Sequence, residues 1–311
     1  MKRTAQIMLR RLVAVIAVLG LAGCATPRPQ DQAAASRCAP DHPFAEGGER
    51  ATLWVRGSAE YRSSTEGIYR AALRSLQSGL ADAGWSAEPT QTRGFSALPP
   101  AVVMDIDETV LDNSAPQARM LLEESCPGEF DALWDAWVAA RAAPAVPGAA
   151  AFIRAARELK DPSGRQVRVF LITNRECKER AGVASNCPQQ DDTLSNLRAL
   201  GLDAPTLDAD LMLKSERPDW SSEKLSRRQQ VAREYRIVLN VGDDLTDFIA
   251  DLRGRSLAER EKARCRHDVW WGVRWFLIPN PMYGSWQRAL GPDPGAALVQ
   301  PLTPSTCGKA V

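Results

Sequence analysis

An apolar run that ends in carboxylates constrains this chain more than any other feature. "VVMDIDETVLDN" spans Val102 to Asn113 and puts Asp105, Asp107, Glu108 and Asp112 within eight residues, directly behind a segment fit for a core. Like charges at the end of a buried strand repel one another and lose hydration. A sequence carries such a cluster for a metal, a reaction, or both.

The rest of the chain repeats the pattern. "LPPAVVMDID" reads as a buried strand, followed by "QVRVFLITNR", a short "ADLMLK", "YRIVLNVGDD" and "VRWFLIPN". Between them, apolar residues recur at helical spacing. Tyr69, Ala72, Leu73, Leu76 and Leu80 form one stripe, and Phe130, Trp134, Trp137 and Val138 form another that "APAVPG" stops. A further helix is expected from about Ala149 to Leu159. Strands alternating with helices predict an α/β fold with a parallel sheet covered on both faces. Polar residues follow the carboxyl ends of four strands: Asp105 and Asp107, Thr173 and Asn174, Lys214, then Asp243 and Asp244. In open parallel sheets the ligand crevice lies at those ends, so residues spread over about 140 positions are expected to converge on one site.

The N-terminus sets the compartment. Lys2, Arg3, Arg10 and Arg11 precede the apolar "LVAVIAVLGLAG", which is too short for a membrane-spanning helix and fits a secretory signal over residues 1–23. "LAGC", Leu21 to Cys24, resembles a bacterial lipobox, which implies cleavage before Cys24 and acylation of its thiol. Ala25 at the next position implies the outer membrane. Residues 24–50, rich in Ala, Pro and Gln, read as a tether, and residues 51–311 as the folded domain. Cleavage removes four of the 39 Lys and Arg and no Asp or Glu, leaving 35 basic against 38 acidic side chains. A mildly acidic chain without a long basic run argues against nucleic acid as a partner. Six cysteines then remain in an exported chain, which predicts disulfides, with Cys177 and Cys187 the closest local pair.

"DIDETVLDN", "LITNR", "LMLKSE" and "GDDLTDF" together resemble the four motifs of the haloacid dehalogenase (HAD) superfamily in order and spacing. "SAEYR", "DETVLDNS" and "IPNPMYGSWQ" narrow the resemblance to class C (subfamily IIIB) acid phosphatases, the outer-membrane lipoprotein 5'-nucleotidase family, over about Leu53 to Leu290. This implies a Rossmann-like sheet flanked by helices, with a small, mainly helical cap inserted at 113–148. It also implies a small phosphomonoester substrate and membrane attachment through the N-terminal lipid.

The chemistry of phosphoryl transfer agrees with these residue types. Asp105 is the expected nucleophile and Asp107 the acid and base. Mg2+, a hard ion preferring oxygen, would draw on Asp105 and Asp243, the main-chain carbonyl of Asp107, and support from Asp247. Asp247 would equally suit a helix start. Thr173 and the Asn174 backbone would donate to phosphoryl oxygens, and Lys214 would offset the charge shared by phosphate and nucleophile. The resemblance implies that Tyr283 stacks on a nucleotide base. Trp134, on the inserted segment, is a candidate substrate contact whose competing reading is helix packing. The alternative function is a surface lipoprotein that binds haem or a nucleotide without turnover, for which only His42 and His267 offer imidazole ligands.

Overall fold

The computed structural model describes residues 48–122, 130–291, 293–299 and 307. The signal segment, Cys24, Cys38 and Cys126 lie outside them, as does part of the 113–148 insertion. The described chain runs α1 (Gly48–Gly57), α2 (Ala59–Ala81), β1 (Pro100–Met104), α3 (Ser114–Leu122), α4 (Phe130–Ala140), α5 (Ala149–Glu158), β2 (Arg168–Glu176), α6 (Pro188–Ala199), α7 (Leu207–Asp210) and β3 (Leu211–Lys214). It continues through α8 (Leu225–Glu234), β4 (Arg236–Gly242), α9 (Leu257–Arg266), β5 (Trp275–Leu277), α10 (Ser285–Arg288) and α11 (Pro294–Val299). Each of the five expected strands is present. Among the described residues, no helix is long and apolar enough to cross a membrane.

The strands form one parallel sheet in the order β3-β2-β1-β4-β5. Side chains on a strand alternate between faces, and here the alternation separates two cores. Val102 and Met104 of β1, with Val169 and Leu171 of β2, face Leu76 and Leu80 of α2 and Phe152 and Ile153 of α5. Ala101, Val103, Phe170 and Ile172 face the other way, toward Val231 of α8, Phe248 and Trp275. The continuous apolar runs in the sequence follow from this two-sided burial.

Local chemistry sets the boundaries. Ser58 caps α2 by accepting the Tyr61 N–H at 3.0 Å. At the far end, Arg236 of β4 donates to the carbonyls of Gly79 at 3.2 Å and Asp82 at 2.5 Å, satisfying acceptors the helix leaves open. In the insertion, α3 packs on α1 and α4 on α6. A disulfide joins Cys177 to Cys187 between β2 and α6, and a second, not expected from spacing, joins Cys265 of α9 to Cys307.

At Gly79, α2 lies close against Val238 of β4 and Trp85. A Cβ there would meet the Trp85 indole nitrogen at 2.7 Å and Val238 Cγ1 at 2.8 Å. Alanine ordinarily improves a helix by about 1 kcal/mol over glycine, whereas overpacking costs about 1–3 kcal/mol. Because Trp85 is also held by its hydrogen bond to the Val238 carbonyl, the clash should prevail. Gly79→Ala is therefore expected to lower the urea unfolding midpoint; an unchanged or raised midpoint would show that the contact yields.

Candidate active site

The order of the central strands creates the site. Asp105 follows β1, and its N–H donates to the Val241 carbonyl at 3.0 Å, extending the pairing with β4. Asp243 and Asp247 follow β4. The carboxylate oxygens of Asp105, Asp243 and Asp247 lie within 4.8 Å of one another. Asp247 is seated on Gly242, where any Cβ would stand 2.4 Å from its Oδ2. That seat requires glycine. Asp247 Oδ2 accepts the N–H groups of Asp243 at 3.1 Å and Asp244 at 3.0 Å.

Lys224, the residue before α8, lies between these acids. Its buried ammonium donates to Asp105 and, at 2.6 Å, to Asp247 Oδ1. Asp243 has different partners: Asn280 Nδ2 at 2.8 Å and Thr109 Oγ1 at 3.4 Å. Burial pushes the Asp105 carboxyl up to about 7, since repulsion from Asp247 and Asp107 adds to it and Lys224 only partly offsets it. Burial also raises Asp243, with Asp105 and Asp247 next in effect. With all three carboxylates ionised, one contacting ammonium would leave two negative charges, on hard oxygen donors converging from two strand ends. This donor set fits a divalent cation.

Asp107 belongs to a second group. Its Oδ1 accepts Arg175 at 2.9 Å from Nε and 2.8 Å from Nη2, together with Asn113 Nδ2 at 3.0 Å. Its Oδ2 accepts the Thr173 hydroxyl at 3.1 Å. The turn that follows Asp107 carries Glu108 at φ +60°, a strained value for a non-glycine residue. Glu108 in turn accepts the Asn113 N–H at 2.7 Å. Asn113 also accepts Trp137 Nε1 at 2.8 Å, so α4 is tied to Asp107 through one amide.

The expected site residues divide accordingly. Asp105, Asp243 and Asp247 come together, and Asp107 and Thr173 are directly bonded. The Asn174 side chain is held by Arg227 at 3.0 Å. Lys214 requires correction. β3 is the edge strand, and from its end Lys214 reaches Glu176 at 2.9 Å, remaining about a third exposed. The cation beside the nucleophile candidate is Lys224 instead. Trp134 stacks on Phe130 and lies 6.0 Å from the Arg175 guanidinium, so packing and proximity to the Asp107 group coexist. Tyr283 packs against the core, and its N–H donates to Asn280 Oδ1 at 3.4 Å, in the loop that also holds Asp243. Burial alone would raise Asp244, but hydrogen bonds from Ser285 and Thr246 hold it below its usual range. It ties the loop before α10 to the end of β4.

Sequence reasoning missed Lys224, Arg175, Asn113 and Asn280. Lys224 had a signal: "EKLSRR" puts three cations at a helix start, where the helix dipole disfavours them. Arg175 stood beside a recognised polar strand end. Nothing local distinguished Asn280.

A family model described as HAD superfamily, subfamily IIIB (Acid phosphatase), matches residues 75–286. The chain is also similar to two solved structures of the class C acid phosphatase from Bacillus anthracis. One, with tungstate bound, has a TM-score of 0.61 at 27% identity, covering 79% of this chain and 88% of that one. The other has a TM-score of 0.62 at 27% identity, covering 80% and 90%.

The raised carboxyls give the site a pH dependence of defined sign. A carboxyl whose pKa rises on folding favours the fold while protonated and opposes it once ionised. The cation-free protein should therefore lose stability as pH climbs from the ordinary carboxylate range up to about 7, the value for Asp105, and level off above it. A divalent cation needs the ionised form and displaces the proton, so its affinity should fall at least about tenfold from about pH 8 to pH 6. Calorimetry in buffers of different ionisation enthalpy measures both the affinity and the released proton. An affinity flat across this range would contradict the assignment.

Proposed function

The chain belongs to subfamily IIIB of the HAD superfamily, the acid phosphatases, and from that we propose that it hydrolyses small phosphomonoesters, nucleoside 5'-monophosphates foremost, with Mg2+ and an aspartyl-phosphate formed on Asp105. The enzyme class, a phosphoric monoester hydrolase, follows from the family. The observation that carries the mechanism is the division between a charge-rich group, Asp105, Asp243, Asp247 and Lys224, and a separately anchored Asp107.

Asp105 attacks phosphorus in line with the ester oxygen. The phosphorus–ester oxygen bond breaks as the Asp105–phosphorus bond forms, and Asp107 gives its proton to the departing alkoxide. Asp107 then removes a proton from water, which attacks phosphorus and releases orthophosphate and free Asp105. Lys224 offsets charge on nucleophile and phosphate, while the Thr173 hydroxyl turns from Asp107 to a phosphoryl oxygen. Arg175, bonded to one oxygen of Asp107, keeps that side chain oriented through both steps. Asp105 and Asp243, with the Asp107 carbonyl and support from Asp247, would hold Mg2+, which neutralises charge on the phosphoryl oxygens when bound.

Tyr283, in the loop that shares Asn280 with Asp243, is the proposed base-stacking wall, and Trp134 a contact from the insertion. Two disulfides support an exported protein. Lipid attachment at Cys24 and residence on the outer membrane of a bacterium rest on "LAGC". The non-catalytic binder reading has little support. His267 is partly buried and packs against the Trp270 and Trp275 rings, which leaves it poorly placed to ligate a haem iron.

The reading is tested by phosphate release from nucleoside monophosphates, sugar phosphates and an aryl phosphate, with and without Mg2+. Nucleoside monophosphates should give the highest kcat/KM, only with the cation. Asp105→Asn should remove turnover; a variant keeping more than about a tenth of it would contradict covalent catalysis.

The two lysines separate cleanly. Lys224→Met should lower kcat about 100- to 1,000-fold, the loss typical of a missing group that stabilises developing charge. Lys214→Met removes a partly exposed ion pair and should change kcat less than about threefold. Equal losses in steady-state assays would restore Lys214 to the mechanism.

A further inference from the structure

Helix α8 starts against its own dipole. Lys224 is its N-cap, Arg227 and Arg228 follow in the first turn, and no acidic residue is present there. A helix N-terminus carries partial positive charge, so cations are disfavoured at this end. All three side chains are nevertheless buried. Lys224 has its carboxylates; the two arginines have other partners.

Arg227 reaches the end of β2. It donates to the Thr173 carbonyl at 2.5 Å, to Asn174 Oδ1 at 3.0 Å and to the Ser221 carbonyl at 2.8 Å. A peptide unit is planar, so anchoring the Thr173 carbonyl fixes the direction of the Asn174 N–H on the same plane. Arg228 reaches the end of β4 instead. It donates to the carbonyls of Asp247 at 2.7 Å and Phe248 at 3.0 Å, and its Nε pairs with buried Glu88 at 3.0 Å. Asn240 Nδ2 also donates to the Asp247 carbonyl, at 3.1 Å. The backbone that carries Asp247 is thereby held from two sides, with its carboxylate pressed on Gly242.

We infer that Arg227 and Arg228 are positioning residues with separate tasks: Arg227 aims the phosphate-binding peptide at Thr173–Asn174, and Arg228, backed by Glu88, aims the cation-binding Asp247 loop. The inference rests on the roles proposed above for Thr173, Asn174 and Asp247. Neither arginine touches the reacting atoms. Each acts through a backbone carbonyl that a lysine cannot grip in the same forked manner.

The test uses Arg227→Lys and Arg228→Lys in the full mature chain, which keep the charge and lose the fork. Mg2+ binding to the substrate-free protein is measured by calorimetry, and orthophosphate binding by competitive inhibition. Arg228→Lys should weaken Mg2+ about 10- to 100-fold, as loss of support behind a metal ligand does, with the orthophosphate constant moving less than about twofold. kcat should recover at saturating Mg2+. Arg227→Lys should give the converse, with orthophosphate weakened roughly tenfold, the loss expected when a hydrogen bond to a charged group is misaligned, and Mg2+ affinity held.

If Arg228→Lys fails to fold, the Glu88→Gln/Arg228→Gln double variant replaces the buried pair without an orphaned charge and should show the same Mg2+ loss. Equal shifts in both constants, a fall in melting temperature with both constants unchanged, or failure of both Arg228 variants to fold would mark the arginines as structural and overturn the inference. A wild-type protein that binds neither Mg2+ nor orthophosphate would instead sink the functional reading.

Discussion

The contact on which the structure most depends is the Lys224 ammonium between Asp105 and Asp247. Removing carboxylates from water costs several kcal/mol per ion after relaxation, and breaking a buried pair by deleting one partner typically costs about 3–5 kcal/mol. The strand order β2-β1-β4 brings the acids together, and without a cation from outside the sheet their repulsion would oppose that order. Lys224 is placed for this by α8, whose remaining first-turn cations point at neighbouring strand ends. One lysine offsets one charge of three. The remainder is why this end of the sheet suits a divalent ion and a phosphoryl group, which bring opposite charges together.

Separating the acids by role needs as much structure as gathering them. Asp105 and Asp107 are two residues apart, yet one joins the carboxylate group and the other faces Arg175, Asn113 and Thr173. Directly after Asp107 the chain turns at the strained Glu108, and hydrogen bonds from Asn113 to the Glu108 carboxylate hold that turn closed and bring the Asn113 amide back to Asp107. Asn113 also accepts from Trp137, so the inserted helix α4 and the proposed acid share a single amide. The insertion is in this way mechanically linked to Asp107, the proposed acid.

The fold was legible because its signals are local. Buried parallel strands must be apolar on both faces, so β1 through β5 stood out as short continuous runs, and Tyr69, Ala72, Leu76 and Leu80 recurred with the period of a helix. Asp105 and Asp243 were legible for a related reason, since a carboxylate directly after a buried strand has no packing purpose, whereas Asp247 lies five residues beyond β4 in a short helical turn that it also caps. Lys214 misled because it too follows a strand. That strand is the sheet edge, where a lysine finds solvent and Glu176 rather than the central crevice. Lys224 lies ten residues later, across a loop, and its approach to Asp105 depends on how α8 is docked.

The sequence by itself determined the elements, the two-faced burial of the sheet and the end at which chemistry would gather, because periodicity and the cost of burying charge act within a few residues. Only the tertiary structure decided which cation meets Asp105, that Arg175 and Asn113 hold Asp107, and that Asn280 ties Asp243 to the Tyr283 loop. Those choices depend on strand order and helix docking across separations of up to 119 residues, as from Lys224 to Asp105. No local pattern encodes a distance between side chains that far apart in sequence. It arises only when the sheet closes and each buried charge must find a partner.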